Sequence, residues 1–586
     1  SILARISASY KIIPELTASL HYQAEQQKIT QRRYRSSETY YVRDLYNKFS
    51  VYDNATGKFA YNYPDGANLN ISNTDWKSMN FRMQLNFDKQ MGKHEVHGLV
   101  GYEARELKTD GNSSALIGYD DQFGTSNTNL NYNTSYPTSP SGNAMLPGPG
   151  SLVTGFLNRY LSYYANGSYN YDNRYTFTIS ARTDGANLFG VKTNNKFSPL
   201  WSVGAGWNLS KKSFYKSELL PYLNLRASLG YNGNTYQNGT GLLTGKYGEI
   251  LSGLMGLTTL TAPNSELRWE KVKNINIGVD FSFKDNLIKG NIEFYNKKGI
   301  DLVQPTELAA QTGFTSYFAN SGSIKTKGLD ANLNIKVLDR SFKWNTILLF
   351  SYVNNKVIRY DPAKTSISDM GGVVGRPLQA MFAYKWSGLN PENGNPIGII
   401  DGQQTEDYNA IYGRMSASDL VYAGSFIPTT TGALRNDFYY KNFGISINIT
   451  YFLNSVFRKP TTSTNYVDQL KSFGYSDYAE RWQKPGDEQF TNVPSLAYPA
   501  NSYRDWFYQY SEVKILKGDH IRLRDIRLSY DFTSLFKNKD FRLSAFAYGQ
   551  NLAILWRKNK DGIDPQMITG RYPDPKVYSL GINATF

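Results

Sequence analysis

Apolar and polar residues alternate with a period of two along much of the 586-residue chain. Between Phe443 and Leu453 every odd-numbered residue is Phe, Ile, Tyr or Leu, and four of the five residues between them are Gly, Ser, Asn or Thr. The same alternation recurs at 4–12, 175–182 and 578–586. A helix would need apolar residues at steps of three and four, so the pattern predicts strands with one apolar face.

About 17 segments of this kind follow one another, and most are long enough to cross a bilayer as tilted strands of about 9–11 residues. Their cores are predicted at 2–12, 16–34, 78–90, 94–108, 156–171, 174–184, 197–209, 222–232, 268–284, 287–302, 322–338, 342–358, 430–440, 443–455, 518–532, 540–554 and 574–586. We therefore expect an all-β fold in which these strands form a transmembrane antiparallel β-barrel.

The connections between the segments fall into two alternating classes. Short turns are predicted at 13–15, 172–173, 285–286 and 441–442, and long loops at about 35–77, 109–155, 233–267, 359–429 and 456–517. Short turns at one end and long loops at the other are typical of an outer-membrane barrel, in which the long loops are extracellular. With a periplasmic C-terminus, an odd number of strands implies that at least one more strand precedes Ser1.

One predicted strand contains a phase slip. In 518–532 the apolar residues Ile521 and Leu523 are followed by Asp525, and the alternation then resumes at Ile526. One inserted residue is what a β-bulge contains, and bulges are common at barrel rims, so the slip predicts a bulge here.

The composition agrees with a membrane barrel. Tyr (46 residues) and Phe (31 residues) are abundant, yet the mean hydropathy is −0.49. A barrel combines both properties because only alternate residues face lipid, whereas the others line an aqueous lumen. No run of about 18 apolar residues is present, so no transmembrane helix is predicted. The absence of cysteine excludes disulfides and thiolate metal sites.

The net charge of +15 suits anionic lipid headgroups, an acidic substrate or nucleic acid. The basic residues are spread along the chain without a Lys/Arg block, so we do not expect nucleic-acid binding. Outer-membrane lipid and lipopolysaccharide are the expected surroundings of the barrel.

Several sequence motifs occur in the order that one transporter family shows. They are RTDG at 182–185 with Phe189-Gly190, LNLRAS at 223–228, NSELRWE at 264–270, NIGVD at 276–280, NSGSIKTKG at 320–328, a loop at 375–394 with Asn390 in place of an Asp, LRDIRLSY at 523–530, GQNL at 549–552 and the terminal Phe586. Over nearly its whole length the chain resembles the SusC/RagA family of TonB-dependent transporters from Bacteroidetes outer membranes. Most of these residues, the glycines included, are expected to be structural. Arg182 and Asp184 could pair near a rim or contact substrate, and pairing is the favoured interpretation.

The resemblance implies a 22-stranded barrel, of which this chain would supply the C-terminal portion. It also implies an N-terminal plug that contacts TonB, and a SusD-like surface lipoprotein that caps the barrel as a lid. The chain departs from the family in lacking the plug, the TonB-contacting segment and about five leading strands. The implied function is import of a large nutrient, an oligosaccharide or a peptide, by a multi-pass protein of a Bacteroidetes-like outer membrane.

No catalytic, cofactor or metal site is predicted. His94 and His97 lie three apart on a predicted strand and so point to opposite faces, which prevents a shared metal. Aromatic residues in the two longest loops could stack on sugars, pack on peptide side chains, contact the lid, or fill the loops' own core. These candidate substrate or lid contacts are Tyr384, Trp386, Trp482, Tyr503, Trp506 and Tyr510.

Three other functional classes compete with import. A structural or secretion-associated barrel would recruit partner proteins and transport nothing, and the missing plug favours it. A barrel enzyme would need a clustered Ser/His/Asp or carboxylate set, and the residues suggest none, so we expect no enzymatic activity. A soluble propeller would show a repeat of fixed length, but the connections here differ widely in length.

Overall fold

Seventeen antiparallel strands form the main sheet, and each pairs with its neighbours along the chain. The computed structural model describes residues 1–139, 142–148, 152–188, 197–236, 241–251, 254–360, 372–414, 418–471, 475–536, 541–567 and 573–585. The strands of the sheet are β1 (Ile2–Ile13), β2 (Leu16–Arg35), β3 (Ala67–Met91), β4 (His94–Tyr119), β5 (Leu152–Tyr171), β6 (Tyr175–Ala186), β7 (Phe197–Asn208), β8 (Tyr222–Asn234), β9 (Glu270–Ser282), β10 (Ile288–Glu307), β11 (Ser316–Asp339), β12 (Phe342–Arg359), β13 (Thr430–Tyr440), β14 (Phe443–Leu453), β15 (His520–Asp531), β16 (Arg542–Arg557) and β17 (Val577–Thr585). Each predicted segment corresponds to one of these strands, so the predicted all-β barrel fold is confirmed. The motif residues Phe189, Gly190 and Phe586 lie outside the described residues.

The two faces of the sheet differ in chemistry. Apolar side chains on one face are exposed, such as Ile6 (71%), Ile179 (61%) and Leu580 (87%). The hydrophobic clusters found in the described part of the chain lie at the long-loop end rather than on this face. Side chains that would be buried in a soluble sandwich are therefore placed to contact lipid, and the polar face lines the lumen.

The short turns lie at one end of the sheet and have the backbone that tight hairpins require. Asp172 and Asn173 have φ values of 53° and 52°, and Asp285 and Asn286 have 57° and 55°. Asn and Asp tolerate this left-handed conformation better than other residues with a Cβ atom, which explains their presence at the turns. The predicted short turns are confirmed.

The predicted bulge in β15 is present as well. The register between β14 and β15 passes from Asn448–Asp525 to Ile449–Leu523, so Arg524 is the extra residue. Its guanidinium donates a hydrogen bond to Asn551 Oδ1 at 2.6 Å.

The long loops span 36–66, 120–151, 235–269, 360–429 and 454–519. The first two are shorter than predicted because β3 and β4 continue as paired strands to Ala67 and Tyr119. The strands extend here beyond the lipid, and residues 72–75 (SNTD) are polar on both faces of the sheet. The alternation that identified the membrane-spanning parts is therefore lost in this segment.

Helices and short strands occur within the loops. The helices are α1 (Tyr40–Lys48), α2 (Tyr408–Gly413), α3 (Tyr466–Lys471) and α4 (Ser502–Tyr510). The short paired strands are Ser50–Asp53 with Lys58–Tyr61, Ser135–Pro137 with Asn143–Met145, Thr244–Leu251 with Leu254–Thr261, Ala380–Ala383 with Val421–Ser425, Trp386–Leu389 with Pro396–Ile400 and Gln403–Thr405, and Val456–Arg458 with Ile515–Lys517. No helix in the described part of the chain is both long and apolar enough to cross a membrane.

Candidate functional site

The lumen wall contains ion pairs that join neighbouring strands. Arg226 on β8 donates to Asp280 on β9 at 2.7 and 2.8 Å and to Glu293 on β10 at 2.6 Å. Gly278 lies directly opposite both Arg226 and Glu293, and a Cβ atom there would come within 3.1 Å of the guanidinium. The glycine thus leaves room for one arginine to bridge three strands.

A second polar group lines the lumen on β5 and β6. Arg182 Nε lies 2.6 Å from Asp184 Oδ1, and Arg182 Nη2 donates to Ser162 Oγ at 2.9 Å. The predicted pairing of Arg182 with Asp184 is confirmed. Because these charges are paired within the wall, they make this part of the lumen polar without adding an unpaired charge to it.

The two longest loops fold together into one unit, here called the loop body (372–414, 418–429, 454–471 and 475–519). Backbone bonds connect them: Tyr384 N donates to Tyr510 O, and Glu512 N donates to Tyr384 O, both at 3.0 Å. Phe507 of α4 and Ile411 of α2 belong to their shared hydrophobic core. The loop body is thus a small folded unit at the long-loop end of the barrel.

A buried arginine strengthens the junction between the two loops. Arg504, 2% exposed, donates to Asn395 Oδ1 at 2.8 Å, to Thr464 Oγ1 at 2.9 Å and to Ser495 O at 2.8 Å. Asn501 caps α4 by accepting a hydrogen bond from the backbone N–H of Arg504 at 3.0 Å. These contacts hold α4, and the aromatic residues on it, in a fixed position.

A buried ion pair lies deeper in the same unit. Lys514 Nζ is 3.5 Å from Asp477 Oδ2, and the two side chains are only 6% and 3% exposed. Asp477 also accepts hydrogen bonds from Thr461 Oγ1 and from the backbone N–H of Thr462. Burial lowers the pKa of Lys514 to about 8, outweighing the effect of the nearby carboxylate.

The loop body contacts the lumen side of the wall. Asn355, a lumen-facing residue of β12, accepts a hydrogen bond from Leu378 N at 2.8 Å. The neighbouring lumen-facing Val357 is 1% exposed, and its backbone exchanges hydrogen bonds with Gly375 and Arg376. The folded loops therefore adjoin the mouth of the lumen.

Five of the six aromatic candidates come together around α4. Tyr503, Trp506 and Tyr510 lie at helical spacing on α4, and the rings of Trp506 and Tyr510 are 4.8 Å apart. Tyr384 is 3% exposed and contacts Trp506, with ring centroids at 5.2 Å, whereas Trp386 is half-buried against Phe507.

Trp482 is separate from this group. It is 8% exposed, lies against Gly394 and donates a hydrogen bond from Nε1 to Glu488 at 3.3 Å. Of the six candidates, Tyr503 is the most accessible, at 43%.

One aromatic residue that the sequence interpretation missed belongs with this group. Tyr412 of α2 is half-buried, and its ring centroid lies 4.8 Å from those of both Tyr503 and Trp506. The four-residue spacing between Tyr408 and Tyr412 is a helical signal, but it gives no information on contact with a helix about 90 residues later. We call Tyr412, Tyr503, Trp506 and Tyr510 the aromatic row.

In the part of the chain that the structure describes, no group of three or more His, Asp or Glu side chains has an arrangement that could hold a metal ion. His97 contacts Asp88 and Glu95 on the lumen face, whereas His94 contacts Tyr169 on the other face. The expected orientation of the two histidines is confirmed.

Comparison with known proteins connects this architecture to one family. The family model described as "TonB dependent receptor-like, beta-barrel" matches residues 13–552. TonB-dependent receptor P26 of Formosa agariphila is 25% identical over 572 residues, covering 89% of this chain and 54% of the relative. TonB-dependent receptor SusC of Bacteroides thetaiotaomicron is 24% identical over 473 residues, covering 73% of this chain and 44% of the relative.

Solved structures agree on the fold. The RagAB peptide transporter aligns with a TM-score of 0.76 at 19% identity and covers 100% of this chain and 61% of that chain. The chain spans about half the length of the curated relatives it matches. Its matches include SusC itself and the RagAB structure, which confirms the resemblance deduced from the motifs. The chain therefore belongs to the TonB-dependent receptor-like β-barrel family of the outer membrane.

Proposed function

We propose that this chain forms the barrel wall and half of the extracellular binding chamber of an energised importer for a large nutrient, an oligosaccharide or a peptide. A SusD-like lipoprotein would close the chamber as a lid, and TonB would act through a plug domain. Membership of the family supports this proposal, and the observation that carries it is the folded loop body beside the mouth of a polar lumen.

The aromatic row is the proposed nutrient contact. Its rings are held by the core beneath them rather than projecting on mobile loops, and flat rigid rings suit both sugar faces and peptide side chains. The proposed role of the other three candidates is to stabilise the loop body by packing within it, because they are buried or half-buried there: Tyr384, Trp386 and Trp482.

The lid is proposed to dock on other parts of the loop body. Phe490 and Tyr498 are 89% and 78% exposed in loop 454–519. Aromatic side chains at this level of exposure are common in surfaces that bind another protein.

The test uses the full-length transporter in its own membrane with its lipoprotein present. Replacing Tyr412 and Tyr503 together with Ala is expected to reduce nutrient uptake at least tenfold while the lipoprotein still co-purifies. The matched control replaces Tyr52 and Phe59, which are 52% and 55% exposed in another extracellular loop. The control should transport normally.

Replacing Phe490 and Tyr498 is expected to release the lipoprotein. Uptake should be lost for that reason. Unchanged uptake in the Tyr412/Tyr503 variant would contradict nutrient contact by the aromatic row. A wild-type protein that recruits partners but never accumulates nutrient, even when TonB is active, would favour the structural barrel instead.

A further inference from the structure

Four lysines lie side by side on neighbouring strands of the barrel wall. In the strand register Lys273 is opposite Lys298, Lys298 is opposite Lys325, and Lys325 is opposite Lys356. Directly opposed residues on antiparallel strands have Cβ atoms about 4.5–5.5 Å apart. These four residues, called the lysine row, thus extend across β9 to β12 over roughly 15 Å.

The lysine row lies on the lipid-facing side of the wall. Along β11, Lys325, Leu329 and Leu333 are separated by even numbers of residues and therefore share a face. Asp330 lies on the opposite face, where it accepts a hydrogen bond from Ser351 Oγ at 2.6 Å within the lumen. The four ammonium groups consequently do not line the solute path.

The height of the row places it at the extracellular edge of the apolar belt. Nearer the periplasm the next fully apolar row consists of Ile277, Phe294, Leu329 and Tyr352, which are directly opposed and 52%, 43%, 37% and 39% exposed. The two rows are four residues apart on each strand, or about 13 Å, and strand tilt reduces this to roughly 10 Å along the membrane normal. That distance places the lysines among lipid headgroups.

Among the described residues, no carboxylate balances the positive charge of the row. In the described residues no ion pair joins any of the four ammonium groups to a carboxylate within 4.0 Å. Lys271 and Lys327 lie on the same face and add to the charge. The other opposed lysine pair on this face differs, because Lys108 of the Lys77–Lys108 pair is 3.0 Å from Asp110.

We propose that the lysine row binds the phosphate groups of an outer-leaflet glycolipid of the lipid A type, whose acyl chains lie against the apolar row below. Like charges directly opposite each other destabilise a sheet, and a bound anion removes that repulsion. A lipid with two phosphates can form ion pairs with several of the ammonium groups at once, and its phosphates lie at the same level of the membrane as the lysines. This lipid site is independent of the imported nutrient.

The experiment measures lipid A binding to the delipidated, full-length transporter in detergent. One variant replaces the lysine row by Gln (Lys273→Gln, Lys298→Gln, Lys325→Gln and Lys356→Gln). The matched control replaces four lysines at the periplasmic end of the same strands and turns (Lys284→Gln, Lys289→Gln, Lys336→Gln and Lys343→Gln), so the change in net charge is identical. The probes are diphosphorylated lipid A, dephosphorylated lipid A and phosphatidylglycerol.

Diphosphorylated lipid A is expected to bind the wild type and the control equally, and the lysine-row variant at least about tenfold more weakly. Dephosphorylated lipid A and phosphatidylglycerol should bind the wild type at least several-fold more weakly than lipid A. Equal binding by the lysine-row variant, or equal binding of either other lipid to the wild type, would overturn the proposal. If the Gln variant does not fold, the four Lys→Arg replacements must retain binding and each single Gln replacement must reduce it.

Discussion

Replacing Arg504 with Leu tests whether the two longest loops are one cooperative unit. The guanidinium is buried at the junction and bonds to acceptors from both loops: Asn395 in loop 360–429, and Thr464 and Ser495 in loop 454–519. Leucine keeps much of the volume and removes every donor. The barrel strands make no hydrogen bond with this side chain among the described residues, so only the loop body should respond.

The expected loss of stability of the loop body follows from the hydrogen-bond acceptors that lose their donor in the variant. Each buried acceptor that loses its partner costs about 1–3 kcal/mol, whereas removing the desolvated charge returns part of that cost. Breaking a buried charged network of this kind typically costs about 3–5 kcal/mol. A loss of about 3 kcal/mol corresponds to roughly 150-fold more frequent opening of the loop body.

Amide hydrogen exchange on the full-length protein measures this opening locally. Amides of α4 and of the strands Trp386–Leu389 and Pro396–Ile400 should exchange roughly 150-fold faster in the variant, and amides of β9 to β12 at the wild-type rate. The matched control is Arg414→Leu, since Arg414 pairs with Asp401 at 2.7 Å but is 46% exposed, and an exposed pair contributes about 0–1 kcal/mol. Equal exchange rates in the two variants, or faster exchange throughout the barrel, would refute the reasoning.

Three further changes probe the same unit, each measured by hydrogen exchange of the loop body. Burial lowers the pKa of Lys514 to about 8, so between pH 8 and 10 the folded loop body binds fewer protons than the unfolded one and its stability should rise with pH, by at most about 1.4 kcal/mol per unit. Lys514→Met should abolish that slope, and a slope that persists would show that another group titrates. Gly394→Ala should destabilise the loop body by about 1–3 kcal/mol, because φ is +70° and the new methyl group would overlap the Trp482 ring. Gly402→Ala, with φ +82° and open space around it, should cost only about 1 kcal/mol, and equal costs would exclude the steric effect. Asn390→Asp should cost about 2 kcal/mol, because Asn390 donates to Glu406 at 2.6 Å and Asp cannot, and Glu406→Gln added to it should restore stability.

The strands and turns could be predicted from the sequence because lipid and water impose a simple rule on alternate residues. Phe443 to Leu453 shows that rule directly, and Asp172-Asn173 shows the turn chemistry. The loop body could not be predicted, since its contacts obey no period. Tyr384 and Tyr510 are bonded through their backbones although 126 residues separate them, and Tyr412 joins the aromatic row only because α2 packs on α4.

The lysine row shows which information the alternating pattern lacks. A period of two assigns each residue to a face but not to a height, and a slip of one strand by two residues leaves every face unchanged. A slip that placed Lys298 opposite Ile275 instead of Lys273 would break the row. In the sequence these lysines are 25 to 31 residues apart and look evenly spread. The register of four strands concentrates their charge at one height, so the lipid contact proposed for this surface depends on hydrogen-bonded pairing rather than on composition.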